Sequence, residues 1–299
     1  MERKLKDYAV LVLKGMGMGA ADVVPGVSGG TIAFIVGIYD ELIDSIKSIN
    51  INNVRLLLTG KVKEFLKNIN AGFLLSVLLG IGISVFSLAK VITWLLTDHP
   101  ILVWSFFFGL VLASTWFVSR DIKERNLKTI LSFVLGVGIA YYITVATPAE
   151  TPSNLLFIFL CGAVAICAMI LPGISGSFIL VLLGKYFFIM DAVKSFDIVI
   201  ITVFAAGACI GITSFSRVLS FALKHFRNVT LSLLTGFMLG SLNKVWPWKE
   251  LITSGEKGMM KFERNVWPNE YIFEAFLLML AGFLIVFALE KISKQSKEG

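Results

Sequence analysis

The chain has 299 residues, 57% hydrophobic and 16% charged, with a net charge of +7 and a mean hydropathy of +0.84. Soluble domains are about 45–50% apolar and 25% charged, so this composition excludes a water-soluble domain, a disordered or fibrous chain and a secreted disulfide scaffold. What remains is an all-α polytopic membrane protein with room for about eight segments of roughly 20 residues.

The start, Met1 to Asp7, has the charge of a signal-peptide n-region, but the apolar run Tyr8–Leu13 is too short for an h-region, so no cleaved signal is expected. A Gly-rich apolar segment follows at 15–43, interrupted at Pro25. Spans are predicted at 72–97, 101–118 and 129–147. A second interrupted segment covers 155–190, with its break at Pro172. Spans follow at 198–223, 229–243 (a short one) and 271–290, and residues 291–299 form a tail. The longest polar connections are 44–71 and 244–270.

Charge placement tests the topology. If each interrupted segment enters the membrane and returns as a re-entrant hairpin, 18 Lys and Arg lie on one side and 7 on the other, with Lys90 and Arg217 left inside spans. Cytoplasmic loops collect Lys and Arg, so both termini are expected in the cytoplasm. The basic residues sit in short loops rather than on a folded basic surface, which argues against nucleic-acid binding.

The interrupted segments resemble each other at an offset of 147: Ala21-Asp-Val-Val-Pro-Gly-Val-Ser-Gly-Gly-Thr-Ile32 aligns with Ala168-Met-Ile-Leu-Pro-Gly-Ile-Ser-Gly-Ser-Phe-Ile179. Gly15 matches Gly162, Gly37 matches Gly184 and Tyr39 matches Tyr186. Downstream the offset becomes 127, pairing Gly80 with Gly207, Lys90 with Arg217 and Gly109 with Gly236. Repeat one is 1–147 and repeat two 155–290, each a hairpin plus three spans. Three is odd, so the halves are inverted repeats, an architecture of secondary transporters.

Pro25 and Pro172 each remove a backbone donor, and Gly26 and Gly173 relax the backbone beside them. Broken backbone deep in a bilayer is tolerated only when buried in protein or facing a wet cavity. The N–H groups of Gly29, Gly30 and Gly176, with the hydroxyls of Ser28, Thr31, Ser175 and Ser177, form a candidate anion cradle. The competing reading is that these glycines only let helices pack closely. Lys90 and Arg217 are candidates to hold an anionic headgroup, or they snorkel to the interface. Asp22 has no acidic counterpart, because Met169 matches it; it is a candidate proton or sodium site, or a turn residue. Asp40, Glu41 and Asp44 read as a solvated hairpin end, and Trp246, Trp248 and Trp267 as an interfacial belt.

The three Cys form no CxxC, and the two His have no suitable neighbours, so no metal site, disulfide or cofactor is expected. An enzyme would need a nucleophile with a base; the motif hydroxyls have no evident base in the sequence, which favours a non-enzyme.

The stretch from Gly17 to Tyr39, with Leu171 to Ser177, resembles the hallmark of the bacterial polyprenyl-phosphate transporter family. That resemblance implies a multi-pass inner-membrane protein that returns undecaprenyl phosphate from the outer to the cytoplasmic leaflet for peptidoglycan and other envelope polymers. On this reading the phosphate head binds between Ser28/Gly29 and Ser175/Gly176, while Lys90 and Arg217 receive it from opposite sides by alternating access. A transporter of a small soluble anion or ion is the rival that the same two hairpins would serve.

Overall fold

The computed structural model describes residues 3–24, 27–148, 151–254 and 260–298. Pro25 and Gly26, the expected first break, lie outside the described residues.

Helix α1 (Leu5–Val23) begins ten residues before the expected segment start, because the Asp7 carboxylate accepts the Lys4 amide at 2.7 Å and closes the first turn. It leads to a short α2 (Gly29–Ile35) and to α3 (Tyr39–Lys47). The 44–71 connection holds two small helices, α4 (Ile51–Leu58) and α5 (Val62–Asn68). Three long helices follow: α6 (Ala71–Asp98), α7 (Pro100–Arg120) and α8 (Leu127–Val145). The second half runs α9 (Leu155–Ile170), α10 (Gly176–Leu182), α11 (Tyr186–Lys194), α12 (Ile198–His225), α13 (Arg227–Ser241) and α14 (Ile272–Glu298).

The helix boundaries keep the offsets read from the sequence. Helices α2 and α10 both have seven residues, α3 and α11 both nine, and α6 and α12 both 28. Gly37 and Gly184 close the seven-residue helices with φ of 70° and 62°, a left-handed conformation that glycine adopts without a Cβ clash. Helices α10 and α11 meet at a bend of 110°.

Four helix pairs build the core: α1 with α6, α9 with α12, α8 with α13 and α7 with α14. Matched glycines let backbones touch. A Cβ on Gly15 or Gly80 would strike the facing backbone across α1 and α6, and one on Gly162 or Gly207 would do so across α9 and α12. Gly72 faces Tyr8, Gly15 faces Val77 and Gly19 faces Ile81, so α1 and α6 run parallel. Gly207 faces Phe159 and Gly211 faces Ala163, so α9 and α12 do too. The same registers make α8 parallel to α13, through Gly136 near Leu233 and Gly240 near Val137, and α7 parallel to α14, through Gly109 near Met279 and Phe117 near Phe287.

Among the described residues, five helices are long and apolar enough to cross a membrane (α6, α7, α8, α12 and α14), with the bent α10–α11 pair as a sixth candidate. The predicted span at 229–243 is the exception. Helix α13 has 15 residues, about 22 Å at 1.5 Å per residue, short of the roughly 30 Å hydrocarbon layer.

Other expectations are corrected. The fold is not all-α: within 244–270 lies an antiparallel hairpin, β1 (Lys249–Ser254) with β2 (Met260–Asn265). Residues 291–298, the expected tail, are helical and continue α14 beyond its apolar stretch Ile272–Leu289. Trp248 is not interfacial; it is 2% exposed, and its indole N–H donates to the Glu270 carbonyl at 2.9 Å. Trp267 is exposed, as a belt residue would be.

Candidate functional site

Residues that follow the expected first break meet the second interrupted segment at residues 169–173. Ser28 is 1% exposed, and its hydroxyl lies 3.0 Å from the Met169 carbonyl and 3.2 Å from that of Leu171. Tyr39, buried beneath it, donates its hydroxyl to the Ile170 carbonyl at 3.2 Å. In the other direction, Gly173 donates its amide to the Thr31 hydroxyl at 3.0 Å. Ending α9 leaves carbonyls with no helical partner; side chains from the first half satisfy them. Gly30 belongs to this contact for its lack of a side chain, since a Cβ there would run into the Ile170 carbonyl.

The tips are related in sequence but differ in what their donors do. At the first, Asp22 Oδ1 accepts the Gly29 amide at 2.7 Å, Ser28 Oγ accepts that of Gly30 at 3.1 Å, and the Ser28 carbonyl accepts that of Thr31 at 2.9 Å. An acid therefore already stands where an incoming anion would bind. At the second tip the matching residue is Met169, which brings no carboxylate. There, among the described residues, the amides of Gly176 and Ser177 have no partner. Ser175 and Ser177 share a hydrogen bond of 2.8 Å, Ser175 being buried and Ser177 exposed.

Lys244 joins this second tip. Its ammonium lies 4.7 Å from the centre of the Phe178 ring, and it lines one narrow cleft with Gly173, Ser175, Phe178 and Thr144. One residue earlier, Asn243 lines a cavity of about 480 Å³ with Phe108, Trp246 and Trp267. Lys249 donates to the Lys244 carbonyl at 2.7 Å and sits 4.1 Å from the Trp104 ring centre. Sequence reasoning assigned Lys244 to a polar connection. It lies 69 positions from Ser175, and no local spacing links the two.

Lys90 on α6 and Arg217 on α12 are exposed, and among the described residues neither makes a hydrogen bond or an ion pair. Lys90 lies just beyond the apolar stretch Ala71–Leu88. Asp40, Glu41 and Asp44 are more than a solvated end. Arg3 binds Glu41 at 2.6 Å, Arg227 binds Asp40 at 3.1 Å and Lys224 binds Asp44 at 3.0 Å. Among the described residues no group of His, Cys, Asp and Glu is arranged to hold a metal.

These features define a multi-pass helical membrane protein with two matched interruptions, one sealed by its own acid and one with open donors beside a lysine. The chain belongs to the undecaprenyl phosphate translocase-like family, whose model matches residues 18–261. It is 45% identical to a polyprenyl-phosphate transporter of Vibrio cholerae, over 99% of this chain and all of that protein. It is 32% identical to a polyprenyl-phosphate transporter of Staphylococcus aureus, over 79% of this chain and 85% of the relative. No solved structure matches.

Proposed function

We propose that the chain carries a polyprenyl phosphate across the bacterial inner membrane, taking the phosphate head from the outer leaflet and releasing it at the cytoplasmic face for reuse in envelope-polymer synthesis. The observation that carries this reading is the contact of Ser28 and Thr31 with residues 169–173, with open donors and Lys244 beside the second tip. A lipid phosphate has a charged head and an apolar tail. The head needs donors and positive charge along its route; the tail can stay in lipid, so a lateral groove suffices.

The topology has independent support. Helix α1 runs with α6 and α9 with α12, so the chain between each pair comes back to the end where it set out, as re-entrant hairpins do. The parallel pairs α8–α13 and α7–α14 support halves of opposite direction, hence inverted repeats. The Arg3–Glu41 and Lys224–Asp44 contacts group the N-terminus, α3 and the α12–α13 turn at one end, the end richer in Lys and Arg. Positive residues favour the cytoplasm, which supports cytoplasmic termini and a Lys244 cleft that faces the outside.

The head then binds among Ser28, Gly29, Gly30 and Thr31 of one tip and Ser175, Gly176 and Ser177 of the other. Lys244 receives it from outside, while Lys90 and Arg217 offer positive charge along the lipid-facing flanks. Asp22, seated on the Gly29 amide, is the candidate proton or sodium site: neutralising it would remove the negative charge that repels a phosphate from that tip. The names of the relatives support transport rather than catalysis.

The test is reconstitution with labelled undecaprenyl phosphate, following its loss from the outer leaflet. Transfer faster than in empty vesicles is expected. No acceleration, in vesicles where the protein is correctly folded, overturns the assignment.

A further inference from the structure

We infer that the cleft between α3 and the α12–α13 turn is a second phosphomonoester-binding site, which Asp40 and Asp44 fill as internal anions until a lipid phosphate displaces them. This rests on the reading of the chain as a lipid-phosphate carrier, and the site would be its station at the basic end.

The cleft has a volume of about 190 Å³. Its rim is charged: the Arg227 guanidinium is 3.1 Å from Asp40, and the Lys224 ammonium is 3.0 Å from Asp44. Ser220 donates its hydroxyl to Asp44 at 2.7 Å, and Lys47 donates to Ser220 at 3.1 Å. Two cations and one hydroxyl therefore bind the two carboxylates directly, and Lys47 reaches Asp44 through Ser220. Phosphate offers more oxygens and more charge than one carboxylate, and the Arg fork fits it in a bidentate manner. The floor is apolar, with Ile43 and Leu223 both buried. A charged rim over an apolar floor matches a phosphate joined to a prenyl chain.

The carboxylates are held loosely enough to leave. Side-chain exposure is 50% and 55% in the Arg227–Asp40 pair and 55% and 46% in the Lys224–Asp44 pair, and exposed pairs of this kind are weak. Each pair also ties α3, which follows the first break, to helices of the second half. Head binding and this tie are mutually exclusive, so arrival of the phosphate frees α3.

The experiment measures binding of farnesyl phosphate, inorganic phosphate and farnesol to the purified full chain in detergent. A Lys244→Gln background weakens the other candidate site, so that the changes below report on this cleft. Farnesyl phosphate is expected to bind more tightly than inorganic phosphate, with farnesol not bound. Asp40→Asn with Asp44→Asn removes the internal anions and should tighten farnesyl phosphate binding about three- to tenfold. Lys224→Gln with Arg227→Gln should weaken it at least tenfold, and Arg227→Lys, which keeps charge but loses the fork, should fall between. Unchanged or weaker binding in the Asn pair, or unchanged binding in the Gln pair, overturns the inference. Equal affinity for inorganic phosphate assigns the cleft to free phosphate and overturns the lipid assignment. Vesicle transport by the unmodified protein keeps the two readings apart: transport with a negative binding result sinks the cleft alone, whereas absent transport sinks the proposed function.

Discussion

Thr31 and Gly173 lie 142 positions apart, yet the Gly173 amide donates to the Thr31 hydroxyl at 3.0 Å in the buried centre of the molecule. This bond, with those from Ser28 and Tyr39 to residues 169–171, joins the two interrupted segments where α9 ends and leaves carbonyls without helical partners.

Replacing Thr31 with Val keeps the shape and removes the acceptor. The buried Gly173 amide is then left unpaired, which costs about 1–3 kcal/mol. Thermal unfolding in detergent should show a clear loss for Thr31→Val and near-normal stability for Thr31→Ser. An unchanged Val variant would show that the bond is dispensable.

Asp22→Asn keeps an oxygen that can accept the Gly29 amide but removes the charge. The fold is expected to survive, while transport loses its response to an imposed proton or sodium gradient. Vesicles with each gradient in turn provide the measurement, and a retained response excludes Asp22 as the coupling site. Asp22→Leu removes the acceptor altogether and should cost about 1–2 kcal/mol, as loss of a capping side chain does.

Lys244→Gln should lower transport at least tenfold with little change in stability, and Lys244→Arg should retain part of the activity. Arg217→Gln and Lys90→Gln should give smaller losses, because both side chains are exposed and unpaired among the described residues. Initial rates for the three Gln variants at matched protein density decide the order. Normal transport in Arg217→Gln or Lys90→Gln removes that residue from the route.

The Asp44 carboxyl supplies a pH test at the basic end. Partial burial works against its charge, but the Ser220 hydroxyl and the Lys224 and Lys47 ammoniums outweigh burial and hold it below its ordinary value. A depressed folded-state pKa contributes stability above the unfolded value of about 3.9, and that contribution is lost as pH falls through the lower folded-state value. The group is about half exposed, so the effect is small, about 1 kcal/mol or less. Unfolding scans from pH 6 to pH 3 should show a slightly shallower acid loss in Asp44→Asn than in the unmodified chain.

The sequence made five of the six spans and the second break legible, because apolar length and the Pro-Gly-Ile-Ser-Gly run are local signals. The matched offsets carried through to helix boundaries and to the backbone of Gly37 and Gly184. What stayed hidden depends on contacts between distant segments. Arg227 lies 187 positions from Asp40, and no periodicity predicts that pair. The β1–β2 hairpin was missed because a six-residue strand that opens on Lys249 and Glu250 reads as part of a polar connection. The Asp22–Gly29 bond spans only seven residues, but a Pro-Gly break between them disguises it as something other than a cap.

Two interchangeable halves would make the two facings of such a carrier mirror states of equal free energy. Asp22 in one tip and Met169 in the other remove that degeneracy. Under the proposed alternating access, one tip neutralised from within and the other open would give the unloaded protein a preferred facing, and a ligand or ion that discharges Asp22 would shift the populations by its differential affinity for the two.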